Sequence, residues 1–296
     1  MNANDLHARA AALREMTREC MLCPRRCRAK RLRGECGECG VAKRPVVSSF
    51  GPHFGEERPL VGRGGSGTIF LTGCNLHCVF CQNYDVSQLG TGVPVAVRSL
   101  VAMMLELQKR GCHNINFVTP THQLAFIVEA VARARDKGLR LPLVYNSGGY
   151  DSVAALRFLD GVFDIYMPDA KYGDNEAGRR FSGVPDYWDR CREALTEMHR
   201  QVGDLVCDER GVAVRGLLVR HLVLPEDLAR TGTVMRFLAS LSRGTYVNIM
   251  DQYRPCHHAD DFPALNRPPT PEECARALGA AAAAGLRRLH GRPGAA

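Results

Sequence analysis

Three cysteines, Cys74, Cys78 and Cys81, stand in a C-x3-C-x2-C spacing inside "TGCNLHCVFCQNY", directly after the apolar run "GTIFL". Structural zinc is usually closed by four ligands, so three thiols in one loop need a fourth from elsewhere, and His77 lies within the same loop. An iron–sulfur cube also usually takes four cysteines; with three, one iron keeps an open position that can chelate a substrate. A missing fourth ligand thus points to an open metal or cluster site.

A second set of five thiols, Cys20, Cys23, Cys27, Cys36 and Cys39, lies upstream, where a tetrahedral site needs four. The spacing alone favours two C-x2-C pairs, Cys20/Cys23 with Cys36/Cys39, as in a zinc ribbon. A closed four-cysteine site fits zinc, a single iron or a further iron–sulfur cluster. The segment is short and has few apolar residues, so a metal there would supply most of its folding energy. Its arginines, in "PRRCRAKRLR", would neutralise an anionic thiolate site. A structural or substrate-docking role is expected for it.

Composition bounds the rest. The 296 residues are 45% hydrophobic and 24% charged, as in an ordinary soluble globular protein. Thirteen cysteines are many for a reducing compartment, where disulfides are rare and clustered thiols mean metal or catalysis. The charged start "MNANDLHARAAALREM" does not resemble a signal peptide, and no apolar run is long enough for a bilayer, so a cytoplasmic protein without membrane contact is expected. The net charge of +8 comes mostly from arginines spread over helical faces, and a nucleic-acid partner is not expected.

The elements that must position these thiols follow from periodicity. Asn4 to Glu19 reads as a helix, and the cysteine segment runs to Val41. "RPVVSSFGPHFGEERPLVGRGGSG" reads as an extended connection. Six apolar runs then alternate with helical patterns: "GTIFLTG", "NINFVTP", "LPLVYNS", "VFDIYMPD", "GLLVRHLVLP" and "TYVNIMDQY". Strands alternating with helices predict a parallel sheet with helical crossovers. The stretch holds six units of about 30 residues, short of the roughly 250 residues of a full eight-unit barrel. No glycine-rich dinucleotide fingerprint follows the first strand. The expected fold is therefore α/β, an incomplete (β/α)6 barrel with a small N-terminal Cys-rich metal-binding segment. The expected divisions are 1–65 (helix, cysteine segment, linker), 66–256 (barrel) and 257–296 (tail with an alanine-rich helix).

In barrels the chemistry sits at the C-terminal strand ends. Those ends carry the triplet, then Thr119, Thr121 and His122, Asn146 and Ser147, Asp169 and Lys171, His221, and finally Gln252 and Cys256. Asp151 or Ser152, before a helix, reads as an N-cap.

Taken together, "LCPRRC", "GSGTIFLTGCNLHCVFCQNY", "NINFVTPTH", "YMPDAKYG", "RGLLVRHLVLP" and "YVNIMDQYRPC" resemble the radical S-adenosylmethionine (radical SAM) superfamily. Within it they resemble the family related to pyruvate formate-lyase activating enzymes, which activate glycyl radical enzymes. The likeness runs from Cys20 to about Cys256. It implies that Cys74, Cys78 and Cys81 hold a 4Fe-4S cluster whose open iron binds the amino and carboxylate groups of SAM. One electron then cleaves the sulfonium, and the resulting 5′-deoxyadenosyl radical abstracts a hydrogen atom. It also implies that Phe80, in "CVFCQN", lies near the adenine, and that Asn83, Thr119, Thr121, Asn146, Ser147, Asp169, Lys171, His221 and Gln252 belong to the cofactor-binding set. The chain departs from the superfamily where many members carry Gly-Gly-Glu for the SAM amino group: here stands "VTPTH", without a fixed negative charge. His122 is expected either as an acid–base residue or as the start of the next helix. For the N-terminal site the resemblance favours Cys20, Cys23, Cys27 and Cys39, with Cys36 extra, holding zinc or iron. The implied partners are a reductant such as flavodoxin or ferredoxin and, as protein substrate, a glycyl radical enzyme. The alternatives are a small-molecule or peptide substrate, with Cys256 returning a hydrogen atom, and RNA modification.

Overall fold

The computed structural model describes residues 3–290. Residues 1–2 and 291–296, the outer ends of the first and third expected divisions, lie outside the described residues. The chain opens with α1 (Ala3–Glu15), crosses the cysteine segment and enters β1 (Val46–His53) and α2 (Arg58–Val61). There follow β2 (Ser66–Leu71), α3 (Tyr84–Ser87), β3 (Val93–Pro94), α4 (Val97–Lys109), β4 (Ile115–Val118), α5 (Leu124–Asp136) and β5 (Leu143–Ser147). The second half holds α6 (Val153–Leu156), β6 (Ile165–Pro168), α7 (Asn175–Ser182), α8 (Tyr187–Val202), β7 (Val206–Cys207) and β8 (Ala213–Leu222). It closes with α9 (Thr231–Leu241), β9 (Tyr246–Met250), α10 (Pro271–Ala283) and β10 (Arg288–His290).

The strands form one mostly parallel sheet in the order β10-β9-β8-β6-β5-β4-β2-β1-β3, with β7 antiparallel on β8. Each of the six apolar runs is a strand, and all six pair in parallel. The α/β expectation with a mostly parallel sheet therefore holds. The connection read as merely extended is different: Val46–His53 pairs antiparallel with β2 and covers an edge that would otherwise expose unpaired backbone groups. Its glycine and proline disguised it, and Pro52 is tolerable because β1 lies near the rim of the sheet rather than in its middle.

Strand alternation gives the sheet two unlike faces. The helix side carries Ile69, Phe117, Tyr145, Tyr166, Leu217 and Val219, all buried in the main core. On the inner side Val144, Ile165, Met167 and Leu218 form a second apolar cluster with Leu60 of α2. By register the same inner face bears Asn116, Asn146, Asp169, Arg220 and Asn248. The inner face is thus apolar in part and charged towards the strand ends.

The N-terminal helix is not detached from this body. Leu6, Ala10 and Leu13, spaced i, i+4, i+7, are buried in the main core, where α1 lies along α5. Cys20, Leu22, Cys39 and Val41 join the same core. Among the described residues no helix is long and apolar enough to cross a membrane.

Helix α7 shows how local chemistry fixes an element that reaches the triplet. Asp174 caps it by accepting from the Ala177 N–H at 2.7 Å, and Gly183 ends it in the left-handed region with φ 65°. Its last residue, Ser182, touches Cys78. Asp174→Ala is expected to lower stability by about 1 kcal/mol in urea titration, at unchanged denaturant slope.

Candidate active site at the strand ends

The loop after β2 carries the triplet. Gly73 turns the chain with φ 84°, and a Cβ there would lie 2.2 Å from the Cys39 carbonyl oxygen, so only glycine fits. Cys74 Sγ accepts from the Leu76 N–H at 3.3 Å, Cys78 Sγ meets Ser182 Oγ at 3.0 Å, and Cys81 Sγ meets Ser87 Oγ at 3.2 Å. The three thiols lie close enough to act on one another: burial first, then the neighbouring Cys78, push Cys74 up to about 12. Burial also raises Cys78, against the pull of the Lys171 ammonium.

Beside the thiols stands a buried charge set. Asp169 accepts from Lys171 Nζ and from Arg220 Nε, each at 2.7 Å, and Arg220 Nη2 donates to Asn146 Oδ1 at 2.7 Å. Burial opposes the ionisation of Asp169, but Arg220 and Lys171 outweigh it and hold the carboxyl below its ordinary range. Lys171 stays charged although burial pulls it down, because Asp169 and then Cys78 hold it up. Glu56, from the β1–α2 connection, reaches within 3.7 Å of Arg220, and burial raises its pKa. Glu57 accepts from Asn248 Nδ2 at 2.8 Å, while its other oxygen and both polar atoms of the Asn116 amide are buried without a partner.

The remaining candidates are spread around this centre. Phe80 is buried edge-on against Tyr172 and Tyr253, with centroids 6.3 and 5.7 Å away. Thr119 has φ 59°, a left-handed backbone at the end of β4, and its N–H donates to the Asn146 carbonyl. Asn83 stands exposed at the start of α3, and Gln252 is exposed with its carbonyl 3.4 Å from Gln82 Nε2. Cys256 is half-buried in a segment fastened to the triplet loop: the His258 N–H donates to the Val79 carbonyl at 2.8 Å, and His257 stacks on Tyr84.

Three expected cofactor residues, Thr121, Ser147 and His221, face other partners. Thr121, Ser147 and Tyr145 all donate to the buried carboxylate of Asp151, at 2.6–2.7 Å. Asp151 is therefore no helix cap, because its carboxylate is consumed by three hydroxyls on the helix side of the sheet. His221 is fully buried between the Ala170 carbonyl and Thr231 Oγ1, at 2.7 and 2.9 Å. Its neighbour Arg220, passed over in the sequence, points to the inner face instead. His122 is buried too, its Nε2 donating to the Thr72 carbonyl at 2.8 Å. The side chains of Arg31, Glu56 and Glu57 are also buried, and nothing in their sequence surroundings marks them as such.

A parallel sheet whose first strand opens into three thiols, with paired charges at the next strand ends, defines an enzyme of the radical SAM class. The chain belongs to the radical SAM superfamily, whose family description, Radical SAM superfamily, matches residues 68–210. It is 34% identical over 284 residues, 93% of this chain and 78% of the relative, to the uncharacterized protein MJ0674 of Methanocaldococcus jannaschii. Solved structures with similarity include the FeFe-hydrogenase maturase HydG of Carboxydothermus hydrogenoformans, at 12% identity and TM-score 0.48. That match covers 72% of this chain, which spans only 49% of the HydG chain. Another is a structure of TYW1 with a lysine–pyruvate adduct bound, at 12% identity, TM-score 0.41, and coverage of 67% and 71% of the two chains.

The family implies a 4Fe-4S cluster and SAM. The donor set fits: three thiols gather in one loop beside a charged lysine. Among the described residues no three His, Cys, Asp or Glu side chains converge closely enough to share a single ion.

Burial pushes His122 down to about 4, well below the value of an unfolded histidine. The unfolded chain therefore takes up the proton first as pH falls. The stabilising contribution is complete above about pH 6.5 and is lost as pH drops towards 4. Between about pH 7.5 and pH 5 it amounts to about 2 kcal/mol. Urea titrations at the two pH values are expected to show that loss in the native chain and a much smaller one in His122→Gln.

Proposed function

We propose that the chain cleaves SAM reductively and uses the resulting radical to abstract a hydrogen atom, with Cys74, Cys78 and Cys81 as cluster ligands. The observation that carries this is the gathering of three thiols, without a fourth cysteine in the loop, beside the paired charges of Asp169, Lys171 and Arg220. When bound, the 4Fe-4S cluster supplies one electron to the sulfonium of SAM, giving methionine and a 5′-deoxyadenosyl radical that becomes 5′-deoxyadenosine on taking a hydrogen atom. Radical SAM enzymes generally need a reductant such as flavodoxin or ferredoxin.

The chain's own residues have separable tasks in this reading. Lys171, kept protonated by Asp169, offers a cation to the SAM carboxylate. Arg220 fixes Asp169 from the adjoining strand and is itself held by Asn146 Oδ1, and the left-handed backbone at Thr119 turns that strand end towards the amino group. Phe80, packed on Tyr253 and Tyr172, forms an apolar wall for the adenine and keeps water from the radical. Asn83 and Gln252 stand at the rim. His122, Thr121, Ser147 and His221 serve as positioning residues, since their polar atoms are engaged inside the protein. The unit is an open (β/α)6 barrel spanning 66–256, with 1–65 and 257–296 as appendages, working in the cytoplasm. The thiols Cys20, Cys23, Cys27 and Cys39 hold a second metal, zinc or iron, and Cys36 is extra.

For the substrate, the segments "DAKYGD" and "VRHLVLP" support a glycyl-radical activase, which removes hydrogen from a backbone glycine of a partner protein. A second reading, a small molecule or peptide, is favoured by the unpartnered Glu57 oxygen and Asn116 amide on the inner face, polar capacity that a bound substrate would use.

Anaerobically reconstituted protein is expected to show broad visible absorption and to release 5′-deoxyadenosine on reduction, and Cys78→Ala to lose both. Lys171→Met should weaken SAM binding by about ten- to a hundredfold, the loss of one charge-assisted hydrogen bond. Full cluster content and SAM cleavage in Cys78→Ala would overturn the reading. Label from a deuterated substrate appearing in 5′-deoxyadenosine identifies the substrate. Cys256→Ala separates the two substrate readings: an activase keeps abstracting hydrogen and still yields a glycyl radical on its partner by electron paramagnetic resonance. A variant that abstracts hydrogen but stalls before product release marks Cys256 as a hydrogen donor and the small-molecule or peptide reading as correct.

A further inference from the structure

The cysteine segment closes on itself around four of its five thiols. The Cys20 N–H donates to the Ala29 carbonyl and the Arg28 N–H returns to the Cys20 carbonyl, pinning a hairpin that holds Cys23 and Cys27. Cys20, Cys23 and Cys39 are buried and Cys27 is half-buried, whereas Cys36 is exposed. A Cβ on Gly37 would lie 3.1 Å from Cys27 Sγ and 3.6 Å from Cys39 Sγ, so both sulfurs pack against the bare glycine and a side chain there would crowd them.

Arg31 lies against this group and is only 1% exposed. Its Nη1 donates to the His122 carbonyl at 2.7 Å and approaches Cys20 Sγ at 3.7 Å, and its Nε donates to the Ala42 carbonyl at 3.4 Å. Its Nη2 is buried with no partner. Its hydrogen-bond acceptors among the described residues are thus two carbonyls and one sulfur. A guanidinium this deep is costly unless an anion compensates it. Neutral thiols supply no charge, but thiolates ligating a metal do.

We propose that Cys20, Cys23, Cys27 and Cys39 hold a second iron–sulfur cluster, with Arg31 as its buried counter-charge, directly behind the loop that carries the triplet. This rests on the reading of these four thiols as a metal site and narrows it to one class of centre. A single tetrahedral zinc would draw its sulfurs to about 3.8 Å from one another, given Zn–S bonds of about 2.3 Å. Among the described residues no such convergence of three side chains exists. The segment also grips the triplet loop residue by residue. Arg25 Nε donates to the Asn75 carbonyl at 2.6 Å, the Cys39 carbonyl is pressed on Gly73, and Arg31 holds the His122 carbonyl while His122 holds Thr72. These contacts bring the two segments together at Gly73 and Asn75, on either side of Cys74.

The test uses the full chain with Cys74, Cys78 and Cys81 all changed to Ala, reconstituted anaerobically with iron and sulfide. It is expected to retain about four irons and about four sulfides per chain. Adding Cys23→Ala should remove them, and adding Cys36→Ser should not. Zinc alone, or one iron without sulfide, would overturn the cluster while leaving a metal site; no metal in a variant that keeps its circular dichroism would overturn both. Should the triple variant fail to fold, Mössbauer counting on the intact protein decides, with about eight irons expected per chain and about four overturning the proposal. In the triple variant, Arg31→Met should shift the reduction midpoint to more negative potential, because a nearby positive charge favours the reduced form, and Arg31→Lys should restore much of it. An unchanged midpoint in Arg31→Met would remove Arg31 from the role of counter-charge. In the intact reduced protein, spin–spin broadening between the two centres is expected, and isolated signals would overturn their adjacency.

Discussion

The structure depends on the pairing of Asp169 with Lys171 and Arg220 at the inner face of the sheet. Three charges withdrawn from water are tolerable only when each has partners at hydrogen-bond distance, and here each has. That requirement fixes relations among distant segments. The end of β6 must lie beside β8 with Asp169 opposite Arg220, and β5 must bring Asn146 alongside. A slip of one residue in any of the three strands would turn the charge into the helix-side core. Removing one partner would leave an uncompensated buried charge, which is far more costly than the pair is stabilising. The same pairing keeps Lys171 cationic next to the triplet, so the constraint that orders the sheet also sets the electrostatics of the site.

A second constraint is close approach. Gly73 lets the Cys39 carbonyl touch the turn that launches the triplet, and Tyr187 ties the loops after β5 and β6 by donating to the Gly148 and Asp169 carbonyls while accepting from the Lys171 N–H. Loops at strand ends are ordinarily the mobile parts of a barrel. Here they are cross-linked by backbone contacts and buried hydroxyls, which preorganises the site.

The inner face divides the labour of stability and chemistry. Val144, Ile165, Met167 and Leu218 around Leu60 seal one part of it, while Glu56, Glu57, Asn116 and Asn248 make another part polar. Polar groups buried there without a protein partner call for one from water or a ligand. The β1–α2 connection therefore does more than join elements: it covers the sheet edge with β1 and delivers two carboxylates to the inner face.

Much of this was legible in the sequence. The six parallel strands followed from apolar runs alternating with helical patterns, because burial on both faces demands continuous hydrophobicity. The triplet stood out because the spacing of thiols within one loop is a local property. Antiparallel β1 was not, since its glycine and proline belong equally to loops and to strands near a sheet rim. Nor could the sequence choose between Arg220 and His221: adjacent residues of a strand face opposite ways, and only register decides which one meets Asp169. Asp151 looked like a helix cap because its position before α6 is local, whereas Thr121, Tyr145 and Ser147 reach it through the folding of two strands. Arg31 was one arginine among many in "PRRCRAKRLR" until the packing of α5 and the cysteine hairpin enclosed it. Sequence alone determined which residues can ligate and which runs must be buried, since both follow from residue type and short-range spacing. Tertiary structure alone decided which charges face one another and which polar atoms are left waiting for a partner, because those depend on strand register and on contacts between segments far apart in the chain.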